Sequence, residues 1–511
     1  MISSSQLAII VVSPQKEPDR PGLIFVSLRA IYSLYTHPLR KYPGPLLNKL
    51  TYIVKAYHLL RGDYVSYLQT LHRKYGHTVC VSPTEICYTD PQAWAEIYGH
   101  PTTSKSGNLP KDARKLRFEQ NGAANIMSAN DADHRRIRRI QTHMFSEKAL
   151  TTQEPLMITY VDLLISRLQD KAKHSSTSIV NLVDWYNYTT FDILGQLAFG
   201  ESFGCLQSKA LHPWINNVFL SIKDSLYWAA SDDFPWPLDK LIYRSTPSET
   251  RNAPFQATDF ANQKARARMA RDSSDQVDFM SYIMKHNDEK GMTKLEIENN
   301  AQFLILAGSE TISSFLSGLT FHLLTYPQHL NKLTSLIRDT FLTSSEITGP
   351  ALDQLEYLNI IIEESFRLYS PVTMITPRYT PAGGRMICGE FVPEHISVSV
   401  SIIAANTSPD LWTDPDDFVP ERWYKDDRCP EKYRSDDKRV MQPFSIGPRN
   451  CIGQNMAKHE IRLILAAILW NFNLEIQPES LDWKKNQKVF GLWERPALKV
   501  RLIPRDHIGC I

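Results

Sequence analysis

The sequence has little of what marks disulfide-stabilised, zinc-binding or nucleic-acid-binding proteins. Seven cysteines are scattered over 511 residues without a Cys-x-x-Cys pair, which argues against a disulfide framework or a structural zinc site and is typical of a reducing compartment. Lysine and arginine number 57 against 55 aspartate and glutamate, so the formal net charge is only +2. Because bulk positive charge is absent, we expect no nucleic acid among the partners.

Long apolar runs are also absent from the N-terminal region. The run 7–12 is followed by a polar stretch at 13–22, and the next run, 23–34, contains Arg29; neither approaches the ~20 residues of a spanning helix. No basic leader precedes the first run, so we do not expect a secretory signal. Residues 1–41 are predicted to form a membrane-proximal segment, either a weak interfacial anchor or an ordinary amphipathic helix. The rigid turn Tyr42-Pro-Gly-Pro45 begins the main body.

No internal repeat, low-complexity segment or linker divides residues 42–511. We therefore predict one large domain, mainly α with a minor β component. A hairpin is predicted around Ser82-Pro83, a strand near 396–402 and further strands at the C-terminus. Helical periodicity predicts helices at 131–146, 154–172, 182–199, 211–229, 255–271, 276–286, 293–325, 351–370 and 453–471.

One cysteine lies in a distinctive frame. Phe444, Gly447, Arg449, Cys451 and Gly453 fit the pattern Phe-x-x-Gly-x-Arg-x-Cys-x-Gly, and a predicted helix follows at once. This segment strongly resembles the haem-binding loop of the cytochrome P-450 monooxygenases, and further motifs extend the resemblance over residues 35–505. The resemblance implies the cytochrome P-450 fold, with a single large haem domain.

The resemblance implies a chemical role for each residue of the loop. Cys451 would be the axial thiolate of haem b (iron protoporphyrin IX), a ligand that favours O–O cleavage. The dipole of the following helix would stabilise its negative charge. Gly447 and Gly453 would let the backbone pass close to the porphyrin, and Arg449 would pair with a haem propionate. Phe444 begins the loop.

The long helix predicted at 293–325 carries a second family motif. Ala307, Gly308, Glu310 and Thr311 fit the pattern Ala-Gly-x-Glu-Thr, with Ala307 and Thr311 on one face. By resemblance, the small residues leave a groove for dioxygen, the threonine hydroxyl donates a hydrogen bond to it, and the carboxylate supplies protons through water. Alternatively, the threonine bonds back to the previous turn and the group has no catalytic role.

The third motif is structural. Glu364 and Arg367 are three residues apart, so they share a helix face. Alone they would be a routine surface ion pair. With Arg422 they resemble the buried Glu-Arg-Arg cluster with which the family holds the chain leading to the cysteine. Trp423 stands where the family more often has phenylalanine.

Three further side chains are predicted to bind the haem propionates. His134 and Arg138 occupy the places of the family's Trp-x-x-x-Arg, with histidine replacing tryptophan. Both are able to donate hydrogen bonds and share a helix face. The alternative is a basic, solvated face. Arg378 follows the Glu-x-x-Arg helix and is a third candidate.

The activity implied by the resemblance is reductive activation of dioxygen and hydroxylation of a lipophilic small molecule. One alternative is a haem-thiolate isomerase or dehydratase that does not use dioxygen; another is a non-catalytic haem sensor. The Glu310-Thr311 pair favours the monooxygenase. No Gly-x-Gly-x-x-Gly fingerprint is present, so electrons are expected from a separate NADPH-cytochrome P-450 reductase. Its docking patch is predicted to contain Arg135, Arg139, Lys458 and Arg462.

The wording of the motifs is similar to fungal microsomal members that act in secondary metabolism. That similarity implies an endoplasmic reticulum location, with the catalytic domain facing the cytosol and the membrane surface as a partner. Substrate contacts are expected from segments 101–122 and 205–250, from Val372 to Thr376, and from Phe490-Gly-Leu492. An apolar stripe is as often plain core.

Overall fold

The computed structural model describes residue 31 and residues 35–100, 108–112, 122–174, 178–271, 278–485 and 487–505. Helices dominate this part of the chain, as predicted. They are α1 (Leu46–Leu50), α2 (Ile53–Arg61), α3 (Tyr64–Tyr75), α4 (Pro91–Tyr98), α5 (Asp131–Gln141), α6 (Glu147–His174), α7 (Leu182–Phe199), α8 (Cys205–Ser208), α9 (Pro213–Asp232), α10 (Leu238–Arg244), α11 (Ser248–Met269), α12 (Phe279–His286), α13 (Lys294–Thr325), α14 (Pro327–Thr340), α15 (Gly349–Asp353), α16 (Glu356–Leu368), α17 (Ile402–Asn406) and α18 (Gln454–Asn471).

The long helix α13 runs through the core and organises it. It begins in a capping box, in which the Thr293 hydroxyl accepts from the Glu296 amide and the Glu296 carboxylate accepts from the Thr293 amide. It packs against α7, α11, α16 and α18. Within the described residues α13 alone has the length and apolarity to cross a bilayer, but 72% of its apolar window is buried in the protein. Packing in the core therefore accounts for its composition.

The strands are short and lie at the margins of the helical body. One sheet has the order β1-β2-β7-β4, with β2 and β7 parallel; a second has the order β3-β11-β8, and β5-β6 and β9-β10 are two-stranded hairpins. Their bounds are β1 (Thr78–Ser82), β2 (Glu85–Tyr88), β3 (Ile179–Asn181), β4 (Arg378–Tyr379), β5 (Arg385–Ile387), β6 (Glu390–Val392), β7 (Ser397–Val400), β8 (Phe472–Ile476), β9 (Lys488–Phe490), β10 (Leu492–Glu494) and β11 (Lys499–Pro504).

Most predicted elements are present, and the differences have physical reasons. Helix α7 has the predicted bounds, but α6 and α11 start earlier than predicted and run through Pro155 and Pro254. Each proline removes one backbone donor, and buried residues on both sides of Pro254 hold α11 together. The helix predicted at 351–370 is two helices, α15 and α16. The predicted anchor at 23–34, except residue 31, and most of segment 101–122 lie outside the described residues.

Candidate active site

The cysteine loop folds back on itself between Phe444 and the start of α18. The Cys451 amide donates to the Phe444 carbonyl at 2.8 Å, and the loop turns through Gly447, whose φ is +77°. A Cβ atom at Gly447 would lie 2.0 Å from the Tyr98 carbonyl oxygen. Glycine is therefore required there both by the left-handed backbone and by the close approach of α4.

Cys451 is the exposed one of the six cysteines in the described residues, and it lines a cavity of about 330 Å³. Surrounding protein raises the pKa of its thiol, whereas the Gly453 amide and the Arg138 charge act in the opposite direction. The cavity brings together ten of the predicted site residues. These are His134, Arg138, Ala307, Gly308, Thr311, Arg378, Phe444, Arg449, Cys451 and Gly453.

The middle of α13 forms another wall of this cavity. The Thr311 hydroxyl donates to the Ala307 carbonyl at 2.6 Å. This is the bond to the previous turn that a threonine without a catalytic role would form. The same residue nevertheless lines the cavity. A Cβ at Gly308 would lie 2.9 Å from Leu194 Cδ1 on α7, so the tight packing of these two helices explains a glycine in mid-helix.

Glu310 does not line this cavity. Its buried carboxylate accepts from Arg495 Nη2 at 2.6 Å and borders a second cavity of about 290 Å³. Burial raises the pKa of Glu310, and the Arg495 charge and hydrogen bond oppose that shift. The acid and the threonine are thus neighbours in sequence that face different cavities.

Arginine side chains gather at one edge of the first cavity. Arg138 donates to the Asn450 carbonyl and side-chain oxygens, both at 2.6 Å, which ties α5 to the cysteine loop. Arg449 pairs with Asp131 at 2.6 Å, and Arg378 donates to the Leu109 carbonyl at 2.8 Å. Two buried guanidinium nitrogens, Arg378 Nε and Arg449 Nη1, have no acceptor within the described part of the chain.

Sequence reasoning missed one cation at this edge. Lys111 lines the cavity and its ammonium donates to the Met127 carbonyl. Burial lowers its pKa well below the usual range, and the charges of Arg449 and Arg378 add to the effect. Burial likewise lowers the pKa of His134 to about 3. In the sequence Lys111 lies in a polar, basic segment with several other cations, and no motif singles it out. In the folded chain a backbone bridge to Arg378 places it at the cavity.

The third motif forms a fully buried ion cluster. Glu364 pairs with Arg367 at 2.7 Å and with Arg422 at 3.2 Å, and all three side chains are 0% exposed. Trp423 Nε1 donates to the same carboxylate at 2.8 Å. Asp436, which the sequence did not single out, completes the cluster through Arg422. The cluster joins α16 to the chain that precedes the cysteine loop.

The segments predicted to contact substrate divide between the two cavities. Val372, Met374 and Ile375 line the first cavity. Phe490 and Leu492 line the second one instead, and the β9 strand of their hairpin packs against α2 and α9. The roles predicted for all these residues stay predictions, which the geometry alone does not test.

Most of the chain is similar in sequence to a known protein family. The family described as Cytochrome P450 matches residues 43–500. The cytochrome P450 monooxygenase aclL of Aspergillus oryzae is 42% identical over 485 residues, covering 95% of this chain and 97% of its own. The cytochrome P450 monooxygenase astA of Talaromyces wortmannii is 39% identical, covering 93% and 94%. Averantin hydroxylase of Dothistroma septosporum is 37% identical, covering 94% and 90%.

Proposed function

The chain belongs to the cytochrome P450 family, and from that premise we propose that Cys451 is the thiolate ligand of its haem. The family makes the protein a haem-dependent monooxygenase. The observation that carries the assignment is the shared cavity. The exposed cysteine, the small-residue groove of α13 and a cluster of cations border the same space.

The residues of the cavity fit a flat, dianionic cofactor. Arg378 Nε and Arg449 Nη1 are buried donors without acceptors in the described residues, and two propionates would satisfy them. Lys111 and Arg138 would add positive charge at the same edge, and His134 would donate as a neutral ring. When bound, haem supplies the activation of dioxygen that oxidises the substrate.

The rest of the mechanism belongs to the side chains of the chain itself. Arg138 would hold Asn450, the residue before Cys451, in place. Thr311 would release its bond to Ala307 and offer its hydroxyl within the cavity. Glu310 would supply protons from the far side of α13.

We propose a lipophilic small molecule as the substrate, within fungal secondary metabolism. Apolar side chains dominate the wall of the cavity above the α13 groove, and burying them against an apolar substrate would stabilise the complex by ~25 cal/mol per Å². One relative is named averantin hydroxylase. The apolar residues that carry this proposal are Phe303, Leu304, Val372, Met374 and Ile375.

A separate NADPH-dependent reductase would dock on the cysteine side. Of the four basic residues predicted there, three are already paired: Arg139 with Asp288 at 3.0 Å, and Lys458 and Arg462 with carboxylates at 2.6 and 2.8 Å. Arg135 is exposed and has no ion pair with the described residues. We therefore centre the docking patch on Arg135, and Arg135→Glu should slow reductase-supported turnover at low salt.

We propose that an exposed apolar patch of the described structure contacts the membrane surface. The start of α2 and the chain before α10 lie together, since Lys55 is 3.4 Å from Asp233 and the Tyr52 and Phe234 rings are 6.4 Å apart. Large exposed side chains cluster there, as at a membrane interface. They are Leu46, Leu47, Ile53, Tyr57, Leu60, Trp236, Leu238 and Leu241.

This membrane proposal has a direct test. Trp236→Glu with Leu241→Glu should release the protein from microsomes of expressing cells into the supernatant, while Leu342→Glu, at another exposed apolar residue, should not. Equal retention of both variants would contradict the role of the patch.

Spectroscopy and coupling test the central proposal. The ferrous carbon-monoxide complex should show the thiolate-type Soret band, and Cys451→His should lose it while the protein stays folded. With reductase present, Thr311→Ala should keep consuming NADPH while product falls and peroxide rises. A wild-type protein without the thiolate-type band would overturn the ligand assignment, and one that turns over substrate without consuming NADPH would favour an isomerase.

A further inference from the structure

Glu310 has a buried partner that lies 185 residues away in the sequence. Arg495, in the chain that leaves β10, donates to the Glu310 carboxylate at 2.6 Å, and both side chains are 4% exposed. The hydroxyl oxygen of Ser313, one turn further along α13, lies 3.5 Å from this carboxylate. The acid of the α13 motif is therefore held on the side of the helix that faces away from the first cavity.

Polar groups from two helices fix the guanidinium of Arg495. Its Nη1 donates to the Ser313 hydroxyl at 3.1 Å, and its Nη2 donates to Asn187 Oδ1 on α7 at 3.3 Å. Ser313 in turn donates to the same Asn187 oxygen at 2.5 Å. Because both charges and nearly all their hydrogen-bonding groups are satisfied, this pair meets the conditions under which a buried ion pair is tolerated.

The second cavity connects this pair with a surface ion pair. Glu310 and Arg495 border the cavity at its buried end. Lys223 and Glu494 also border it and pair with each other at 3.2 Å, with side chains 27% and 56% exposed. A cavity of about 290 Å³ is large enough for several water molecules, each of which occupies ~30 Å³ in the liquid.

We infer that Arg495 is the positioning residue of Glu310, and that the second cavity is the route by which water exchanges protons with this carboxylate. The inference rests on the proposed function, because hydroxylation needs the protons: RH + O2 + 2 e⁻ + 2 H⁺ gives ROH + H2O. Thr311, the residue after Glu310, lines the first cavity. These two adjacent residues of α13 thus border different cavities, Glu310 the second and Thr311 the first.

Arg495 influences the protonation of Glu310 as well as the orientation of its carboxylate. Burial raises the pKa of Glu310, and Arg495 is the main opposing influence. The other groups that face the pair are Ser313 on α13, Asn187 and Asp184 on α7, Tyr369 after α16, and Lys223 and Glu494 across the second cavity. None of these places a second cation within hydrogen-bond distance of the Glu310 carboxylate in the described structure.

The test compares Arg495→Met, Arg495→Lys and the control Arg501→Met in the holoenzyme. Arg501 forms an exposed pair with Glu475 at 3.6 Å on the neighbouring β11. The first measurement needs no turnover: the infrared band of the protonated Glu310 carboxyl, assigned by its loss in Glu310→Gln, is titrated in the resting ferric protein. Arg495→Met should raise the midpoint by about 1–3 pH units, Arg495→Lys by less, and Arg501→Met not at all.

The second measurement is product formed per NADPH between pH 6.5 and 8.5 with reductase present. Arg495→Met should lose coupling severalfold, with Arg495→Lys recovering most of it. If the arginine variants do not fold, variants of Asn216 at the exposed mouth of the second cavity replace them. Asn216→Trp should raise the solvent isotope effect on product formation, whereas Asn216→Ala should not.

The outcomes separate the inference from the proposed function. If Glu310→Gln loses coupling and Arg495→Met keeps both coupling and the carboxyl midpoint, the inference is wrong and the proposed function stands. If Glu310→Gln itself keeps full coupling with an intact thiolate-type spectrum, the proton-supplying role of Glu310 fails, and the inference fails with it.

Discussion

Removing the charge of Glu364 should lower the free energy of unfolding more than breaking any surface ion pair in this protein. The carboxylate accepts five hydrogen bonds, two from Arg367 and one each from Arg422, Trp423 Nε1 and the Val419 amide. With Asp436, the buried cluster holds two positive and two negative charges. Glu364→Gln preserves the shape of the side chain but leaves one positive charge uncompensated in the core.

The expected loss follows from that imbalance. Breaking a buried pair by removing one charge costs about 3–5 kcal/mol in the free energy of unfolding. The control is Asp482→Asn, which removes the partner of Lys485 in a pair of the same i, i+3 spacing whose side chains are 64% and 79% exposed. An exposed pair contributes ~0–1 kcal/mol, so the two variants should differ several-fold.

Urea unfolding, followed by tryptophan fluorescence and circular dichroism at fixed haem content, measures both variants. Fixed haem content is needed because a ligand that binds the folded state stabilises it by mass action. A changed midpoint with an unchanged slope assigns the effect to the native state. The double variant Glu364→Gln, Arg367→Met should lose less than the sum of the single losses, since the two residues form one unit. A Glu364→Gln loss within about 1 kcal/mol of the control would refute the reasoning.

Three further predictions concern a buried acid, a turn and a cation. Burial raises the pKa of Glu460 well above 4.5, so the folded protein keeps a proton that the unfolded chain releases. Urea unfolding from pH 5 to 8 should therefore show wild type losing stability relative to Glu460→Gln as pH rises, by at most ~1.4 kcal/mol per pH unit; a constant difference would contradict it. Gly447→Ala should abolish haem incorporation, measured as Soret absorbance per protein, because the added Cβ meets the Tyr98 carbonyl. Gly389→Ala, with a similar φ of +76° and no atom within 4 Å, should incorporate haem, and equal incorporation by both variants would refute the steric argument. Lys111→Met should weaken haem binding by roughly 10–100-fold in a transfer assay if its ammonium meets a propionate, and an unchanged affinity would exclude that contact.

Local patterns predicted most of the helical scaffold. The capping residues Thr293 and Glu296 predicted the start of α13, because a capping box depends only on residues three apart. The short helices α1 to α4 were not predicted. Three of them, α2, α3 and α4, carry aromatic residues and are only 8 to 12 residues long, and packing against α9, α17 and the first sheet stabilises them there.

The motifs predicted which residues meet at the site, but not the distant partners that some of them find in the folded chain. Helical spacing placed Ala307 and Thr311 on one face, and both line the first cavity. The partner of Glu310 comes from 185 residues downstream, and no local spacing encodes such a pairing. The place of Lys111 at the site was not predicted for a related reason. Its pKa depends on burial and on the charges of Arg449 and Arg378, which lie near it only in the folded chain.

The buried charges around Glu364 and those at the edge of the first cavity differ in their balance, and that difference bears on what the cavity is built to hold. Around Glu364 the charges sum to zero within the protein. At the cavity edge, Lys111, Arg138, Arg378 and Arg449 line the wall, and among the described residues the carboxylate paired with this group is that of Asp131, which binds Arg449 and is half exposed. Burial, and then the charges of Arg449 and Arg378, lower the pKa of Lys111, as expected for a site that lacks its counter-charge. A ligand with two carboxylates would offset part of this positive charge, so its binding would also stabilise the fold.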